Sequence, residues 1–155
     1  MRLNPDYFDI LKAFNAAGVS YLIVGAYAFG FHVEPRTTKD IDIWVDPTPE
    51  NAERVYQALT AFGAPLEGIQ TQDFCNPDVV YQIGVAPNRI DILTGLESIS
   101  FEEAWQNRQE ASYGGEKIHI IGREDLIKVK RAAGRPQDLE DVRSLEAIRK
   151  LAAKK

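Results

Sequence analysis

Thr38-Lys39-Asp40-Ile41-Asp42-Ile43-Trp44-Val45 is the stretch that decides how this chain reads. In a strand, residues i and i+2 point to one face, so Asp40 and Asp42 project side by side while Ile41, Ile43 and Val45 line the other. Aspartate is a poor strand former, and two of them heading so apolar a run need a reason. Parallel carboxylates repel unless positive charge sits between them, and a divalent metal is the usual answer. The plainer alternative is the polar outer face of an edge strand.

Upstream, residues 19–24 read as a short buried strand that Gly25 ends, and residues 26–31 as a helix rich in small side chains. Such a junction presents backbone N–H groups at a helix N-terminus, either as an anion site or simply as a turn. Residues 32–38 form a loop fixed by Pro35 that delivers Arg36 and Lys39 beside the carboxylates. Those cations could contact phosphate, or could neutralise Asp40 and Asp42 in a protein that holds no metal. Earlier still, Asn4-Pro5 caps a helix with Phe8, Leu11 and Phe14 on its core face, and Gly18 stops it.

Downstream, Asp46-Pro47 ends the carboxylate strand, and Thr48-Pro49 starts a helix burying Val55, Ala58, Leu59 and Phe62. Residues 66–77 show neither helical nor strand period and read as a mobile loop flanking the site. Residues 79–85 and 89–93 are two strands joined by Ala86-Pro87-Asn88. In the second, Arg89 and Asp91 share one face and Ile90 and Ile92 the other. Asp91 alone is an ordinary surface residue; on a strand lying beside Asp40 and Asp42 it is a third metal ligand.

Ser100 with Glu103 makes a capping box for a short helix reaching Arg108. Residues 117–121 form a strand with His119 on the sheet surface. A helix after Gly122 buries Leu126, Ile127 and Val129 and spreads Lys128, Lys130, Arg131 and Arg135 over its exposed side. After Gly134-Arg135-Pro136, residues 138–151 make a last amphipathic helix on Leu139, Val142, Leu145, Ile148 and Leu151.

With 155 residues, 45% of them hydrophobic and 26% charged, the chain reads as one globular domain over residues 1–155. No apolar run is long enough to span a membrane, the N-terminus lacks the apolar core of a signal peptide, and the single Cys75 excludes an internal disulfide. A cytoplasmic location fits. Residues 1–122 hold 8 basic and 17 acidic side chains, a balance of −9, and residues 123–155 hold 10 and 6, a balance of +4. The C-terminal pair of helices, packed on the rest, is therefore where a polyanion would be met, although basic C-terminal helices also serve solubility.

Val24-Gly25-Ala26, then Asp40-Ile41-Asp42-Ile43, then Asp91 on a later strand, together resemble the polymerase-beta-type nucleotidyltransferase superfamily. The stretch from Tyr21 to Leu59 and the run from Asp125 to Asp141 resemble its small bacterial branch, near the minimal nucleotidyltransferases and AbiEii-type toxins. The resemblance implies an α/β (α+β) fold, a mixed, partly antiparallel sheet flanked by helices, with a helical C-terminus. It implies Mg²⁺ or Mn²⁺ acting on a nucleoside triphosphate, ATP among them. Asp40, Asp42 and Asp91 would hold the metal, and Asp91 would help to activate an acceptor hydroxyl. Gly25 and the Ala26 N–H would cradle phosphate, with Lys39, Lys128 and Arg131 contacting phosphate or acceptor. The family usually carries Gly or Ser where this chain has Ala26; alanine keeps the N–H but loses a serine's hydroxyl or a glycine's room.

The activity so implied moves a nucleoside monophosphate onto a hydroxyl of RNA (a tRNA end) or of protein, in the manner of a toxin or antitoxin with a cognate partner. A small acceptor such as an aminoglycoside is also compatible with it. Two other functions are compatible with the same residues: a nucleotide- or partner-binding module without catalysis, and a metal-free structural domain in which Arg36 and Lys39 pair with Asp40 and Asp42.

Overall fold

The computed structural model describes residues 4–36, 40–85 and 87–153. Six strands, β1 (Tyr21–Val24), β2 (Asp40–Val45), β3 (Val80–Ile83), β4 (Arg89–Leu93), β5 (Gln109–Tyr113) and β6 (Glu116–Ile120), form one sheet in the order β3-β4-β2-β1-β6-β5. The sheet is mixed: β2 runs antiparallel to β1 but parallel to β4, and β1 runs parallel to β6. β3 and β5 pair antiparallel at the two edges. All four residues of β1 are buried, as a central strand covered on both faces requires.

Among the described residues six helices flank the sheet: α1 (Pro5–Ala16), α2 (Gly25–His32), α3 (Pro49–Phe62), α4 (Phe101–Gln106), α5 (Arg123–Ala133) and α6 (Pro136–Ala153). The expected caps are in place. The Asn4 side chain accepts from the Asp6 and Tyr7 N–H groups, and Thr48 accepts from the Asn51 N–H. Gly63, at φ 91°, closes α3 in the left-handed conformation that favours glycine. Buried Asn51 accepts from the Ser20 N–H and donates to the Ser20 and Asp46 carbonyls, so the start of α3 is tied to the ends of β1 and β2. That tie fixes the strand carrying Asp40 and Asp42 along its length.

Four expectations change. The 66–77 stretch contains a 3-10 helix, Thr71–Cys75, whose Phe74 is fully buried and meets the Tyr81 ring edge-on at 6.1 Å. One turn is too short to show a period. β5 was not anticipated; its signal was Gly114-Gly115, both at positive φ, between the paired Tyr113 and Glu116. In α6, Val142 and Leu145 are buried, whereas Leu139 and Leu151 are exposed.

The fourth change concerns charge. Lys130 is buried rather than exposed, and its Nζ lies 2.8 Å from Asp141 Oδ2. Asp141 also accepts from Arg36 Nη2 at 2.9 Å and from Gln137 Nε2 at 2.9 Å. Burial pushes the Asp141 carboxyl up, but the bonds from Lys130, Arg36 and Gln137 outweigh it and hold the group below the usual carboxylate range. The Arg36 guanidinium also lies 3.8 Å from the Phe29 ring. This cluster joins α5, α6, α2 and the loop that leads towards β2. Removing one partner of a buried pair strands the other charge, at a cost of about 3 kcal/mol or more. Asp141→Ala should therefore lower the urea midpoint by a matching amount at unchanged m-value, and Lys130→Met added to it should recover part of the loss.

Candidate active site

The site follows from sheet register. Parallel pairing of β2 with β4 sets Asp40 opposite Arg89 and Asp42 opposite Asp91, while antiparallel pairing with β1 sets Asp42 opposite Val24. Alternation then puts Asp40, Asp42, Arg89 and Asp91 on one face, at the end of β1 where α2 begins. Asp40, Asp42 and Asp91 each bring one carboxylate oxygen within 4.8 Å of the others. The three acids singled out in the sequence are one cluster.

Gly25 is locked into this arrangement twice. Its φ of 70° is left-handed, and a Cβ there would overlap Asp42 Oδ2. The Asp42 carboxylate thus leans over the first turn of α2, which has no side-chain cap. Amides in that turn, the Ala26 N–H among them, have no acceptor inside the helix and carry the positive end of its dipole.

Arg89 was not anticipated as part of the site. Its Nη2 lies 2.9 Å from Asp40 Oδ2 and its Nε lies 3.1 Å from Asp91 Oδ1. The second contact is an ion pair without hydrogen-bond alignment, so Asp91 Oδ1 is a buried oxygen with no hydrogen-bond donor. The sequence signal was present: Arg89 and Asp91 are two apart on one strand. Arg36, placed beside the acids by the sequence reading, instead pairs with Asp141. Lys39 lies outside the described residues. Lys128 and Arg131 pair with Glu103 and Glu146, on α4 and α6 rather than with the acid cluster.

Burial pushes the Asp42 carboxyl up to about 7, with the nearby charges of Asp40 and Asp91 and a hydrogen bond shared with Asp91 adding to the rise; Arg89 opposes it. Two carboxyls this close share a proton more readily than they both ionise. The buried Tyr7 hydroxyl, 3.4 Å from the Pro87 and Arg89 carbonyls, is itself pushed up to about 12 by burial and by Asp40. The donor set fits a hard divalent cation: three carboxylates, one with an unmatched buried oxygen, and no nitrogen or sulfur.

Residues 9–155 match the model of a family described as "Nucleotidyltransferase of unknown function (DUF6036)". The chain belongs to that nucleotidyltransferase family. No curated protein matches it in sequence. Its fold is shared with the lincosamide antibiotic adenylyltransferase LnuA in a lincomycin-bound structure, at TM-score 0.60 and 20% identity, covering 96% of this chain and 99% of that one. A putative nucleotidyltransferase, TM1012 from Thermotoga maritima, matches at 0.55 and 15%, covering 99% and 97%. ANT(2")-Ia, in complex with adenylyl-2"-tobramycin, matches at 0.55 and 17%, covering 96% and 93%. These likenesses show the fold, a mixed sheet flanked by helices with a helical C-terminus, as the sequence implied. No helix among the described residues is long and apolar enough to cross a membrane.

The raised Asp42 group makes the metal-free protein pH-sensitive. Folding raises its affinity for a proton, so the unfolded chain ionises first as pH climbs from about 4. The folded state is then penalised progressively up to the folded value near 7, by on the order of 4 kcal/mol at most. In EDTA, Asp42→Asn should be more stable than wild type at pH 8, and the advantage should vanish near pH 4. Denaturant midpoints of both proteins across that range read the difference.

Proposed function

We propose that this chain is a metal-dependent nucleotidyltransferase that moves a nucleoside monophosphate from a triphosphate onto an acceptor hydroxyl. The observation that carries the proposal is the register that gathers Asp40, Asp42 and Asp91 beside the uncapped start of α2. A divalent ion, Mg²⁺ or Mn²⁺, on Asp40, Asp42 and Asp91 would supply positive charge against the triphosphate and the acceptor oxygen. The remaining work belongs to the chain. Gly25 and the Ala26 N–H receive phosphate oxygens at the helix N-terminus, where Ala26 still offers its donor. Asp91 takes the acceptor's proton as that oxygen bonds to the α-phosphorus. The bond from phosphorus to the bridging oxygen breaks, and its electron pair leaves with pyrophosphate.

Two acceptor classes have support. The near full-length likeness to LnuA and ANT(2")-Ia, whose structures hold lincomycin and adenylyl-2"-tobramycin, favours a small polyhydroxylated acceptor. The +4 balance of residues 123–155 favours RNA, or a protein acceptor in a toxin–antitoxin pair, with Lys39, Lys128 and Arg131 as phosphate contacts. Against RNA, Lys128 and Arg131 already face carboxylates. The small acceptor is therefore the preferred reading.

Incubation with α-³²P-labelled triphosphates and Mg²⁺, against pooled small polyols and antibiotics on one hand and tRNA or protein on the other, should label the first pool. Asp40→Asn and Asp91→Asn should each cut labelling by about a thousandfold, the loss expected when several kcal/mol of transition-state charge stabilisation go. A ligand at 100 times its dissociation constant stabilises a fold by about 2.7 kcal/mol. A triphosphate with Mg²⁺ should therefore raise the melting temperature of wild type and leave Asp40→Asn unmoved; a wild type unmoved by every triphosphate would remove the catalytic reading in favour of a structural one.

A further inference from the structure

The strongest unexplained feature of the site is its own cation. A guanidinium lies 2.9 Å from Asp40 Oδ2 and 3.1 Å from Asp91 Oδ1. These two residues also supply two of the three carboxylates available to a metal. The guanidinium takes one oxygen of each carboxylate, so it competes with a divalent cation for those two oxygens and for the charge of both acids. Accepting the metal-site reading above, we infer that Arg89 is a gate: it holds Asp40 and Asp91 closed against free metal and yields them when metal and triphosphate arrive together.

Three features suit Arg89 to that role. It is the first residue of β4, and its backbone is fixed by pairing opposite Asp40, so the side chain can swing without moving the strand. The side chain is 37% exposed, and Gln82, opposite Asp91 on the edge strand β3, is exposed too, so Arg89 lies at the solvent-facing side of the cluster. Its Nε contact to Asp91 lacks hydrogen-bond alignment, so only the Asp40 bond is made in full. Arginine does not give up its proton in proteins, so this cation leaves the acids by moving and not by neutralisation. Displaced, it presents a fork of N–H donors towards solvent on the face where a triphosphate would lie.

The consequence is coupling. If the open arrangement is a minor state, free metal binds with its affinity reduced by that state's fraction, and a triphosphate that engages the displaced guanidinium restores it. Asp40, Asp42 and Asp91 then serve chiefly metal that comes with its nucleotide.

Mn²⁺ binding, read from the electron paramagnetic resonance signal of free Mn²⁺, tests this with and without a non-hydrolysable triphosphate analogue. Arg89→Met should bind Mn²⁺ alone about tenfold more tightly than wild type, the factor expected if about one molecule in ten is open. The gain that the analogue gives wild type should shrink by the same factor. Arg89→Lys, which keeps a charge but reaches only one carboxylate at a time, should fall between. Equal or weaker Mn²⁺ affinity in folded Arg89→Met overturns the gate while leaving the metal site standing. Mn²⁺ binding in neither protein above the level of Asp42→Asn removes the metal site and the gate together. Should Arg89→Met not fold, the Nε–H resonance of Arg89 in wild type serves instead: it should move as Mg²⁺ saturates the carboxylates, and a resonance unchanged at saturation overturns the proposal.

Discussion

Three carboxylates gathered within 4.8 Å are the constraint the rest of the structure answers. Parallel pairing of β2 and β4 creates the problem, because it sets Asp42 directly opposite Asp91. Like charges this close, partly out of water, repel strongly, and among the described residues Arg89 and the uncapped start of α2 bring positive charge near them. Asp42 answers the repulsion with a raised affinity for a proton, and Arg89 lies between Asp40 and Asp91. Neither is complete, since Asp91 Oδ1 remains buried without a hydrogen bond. A fold selected for stability alone would not retain such a cluster, because an apolar replacement of buried charge is often neutral or stabilising. Paired strands hold these acids in the arrangement that the proposed cation site needs.

Holding that cluster together against its own repulsion falls to the surrounding scaffold. Asn51 anchors α3 to the ends of β1 and β2, and the fully buried Ile41 and Ile43 hold the opposite face of β2 in the core. On the approach to β2, Arg36 is held by Asp141 and stacked on Phe29. The C-terminal helices are thus tied to Arg36 and to α2, which starts beside Asp42. Gly25 supplies the remaining condition, since any larger residue there would push Asp42 aside.

Much of this was legible in the sequence because it rests on local rules. The period-2 alternation of residues 40–45 and 89–93, the caps at Asn4 and Thr48, and the glycine after β1 each state their structure within a few residues. So does the pairing of Asp40 with Asp42 on one face. What was not legible is set at a distance. Nothing near Arg36 says that its partner is Asp141, 105 positions later, and nothing near Lys130 says that the same carboxylate draws it out of water. Hydrophobic period placed Leu139 and Leu151 inwards in α6, but buried Asp138 and Asp141 claim that face for charge and leave both leucines exposed. Arg89 was visible as a neighbour of Asp91, yet its role depends on which strand lies alongside, and topology alone decides that.

The basic C-terminus shows why sequence charge is a weak guide to partners. Residues 123–155 carry a surplus of +4, but several of the cations lie beside acids: Lys128 with Glu103, Arg131 with Glu146, Arg149 with Glu124 and Glu146, and Arg135 with Asp138. Exposed pairs of this kind contribute little stability, on the order of 1 kcal/mol or less each, so they do not lock the cations. Each such pair looks nearly neutral from beyond a Debye length of about 8 Å, so these particular cations add little long-range pull on a polyanion. Lys130, the one basic residue of α5 that is buried, is committed to Asp141. A nucleic acid would compete at close range for each of these paired cations, while exposed Arg143 and Lys150 have no ion pair among the described residues. A small neutral or cationic acceptor, as proposed above, makes no demand on either set of cations. A charge count along the chain therefore overstates the cations free to meet RNA, because it cannot show which of them already face a carboxylate.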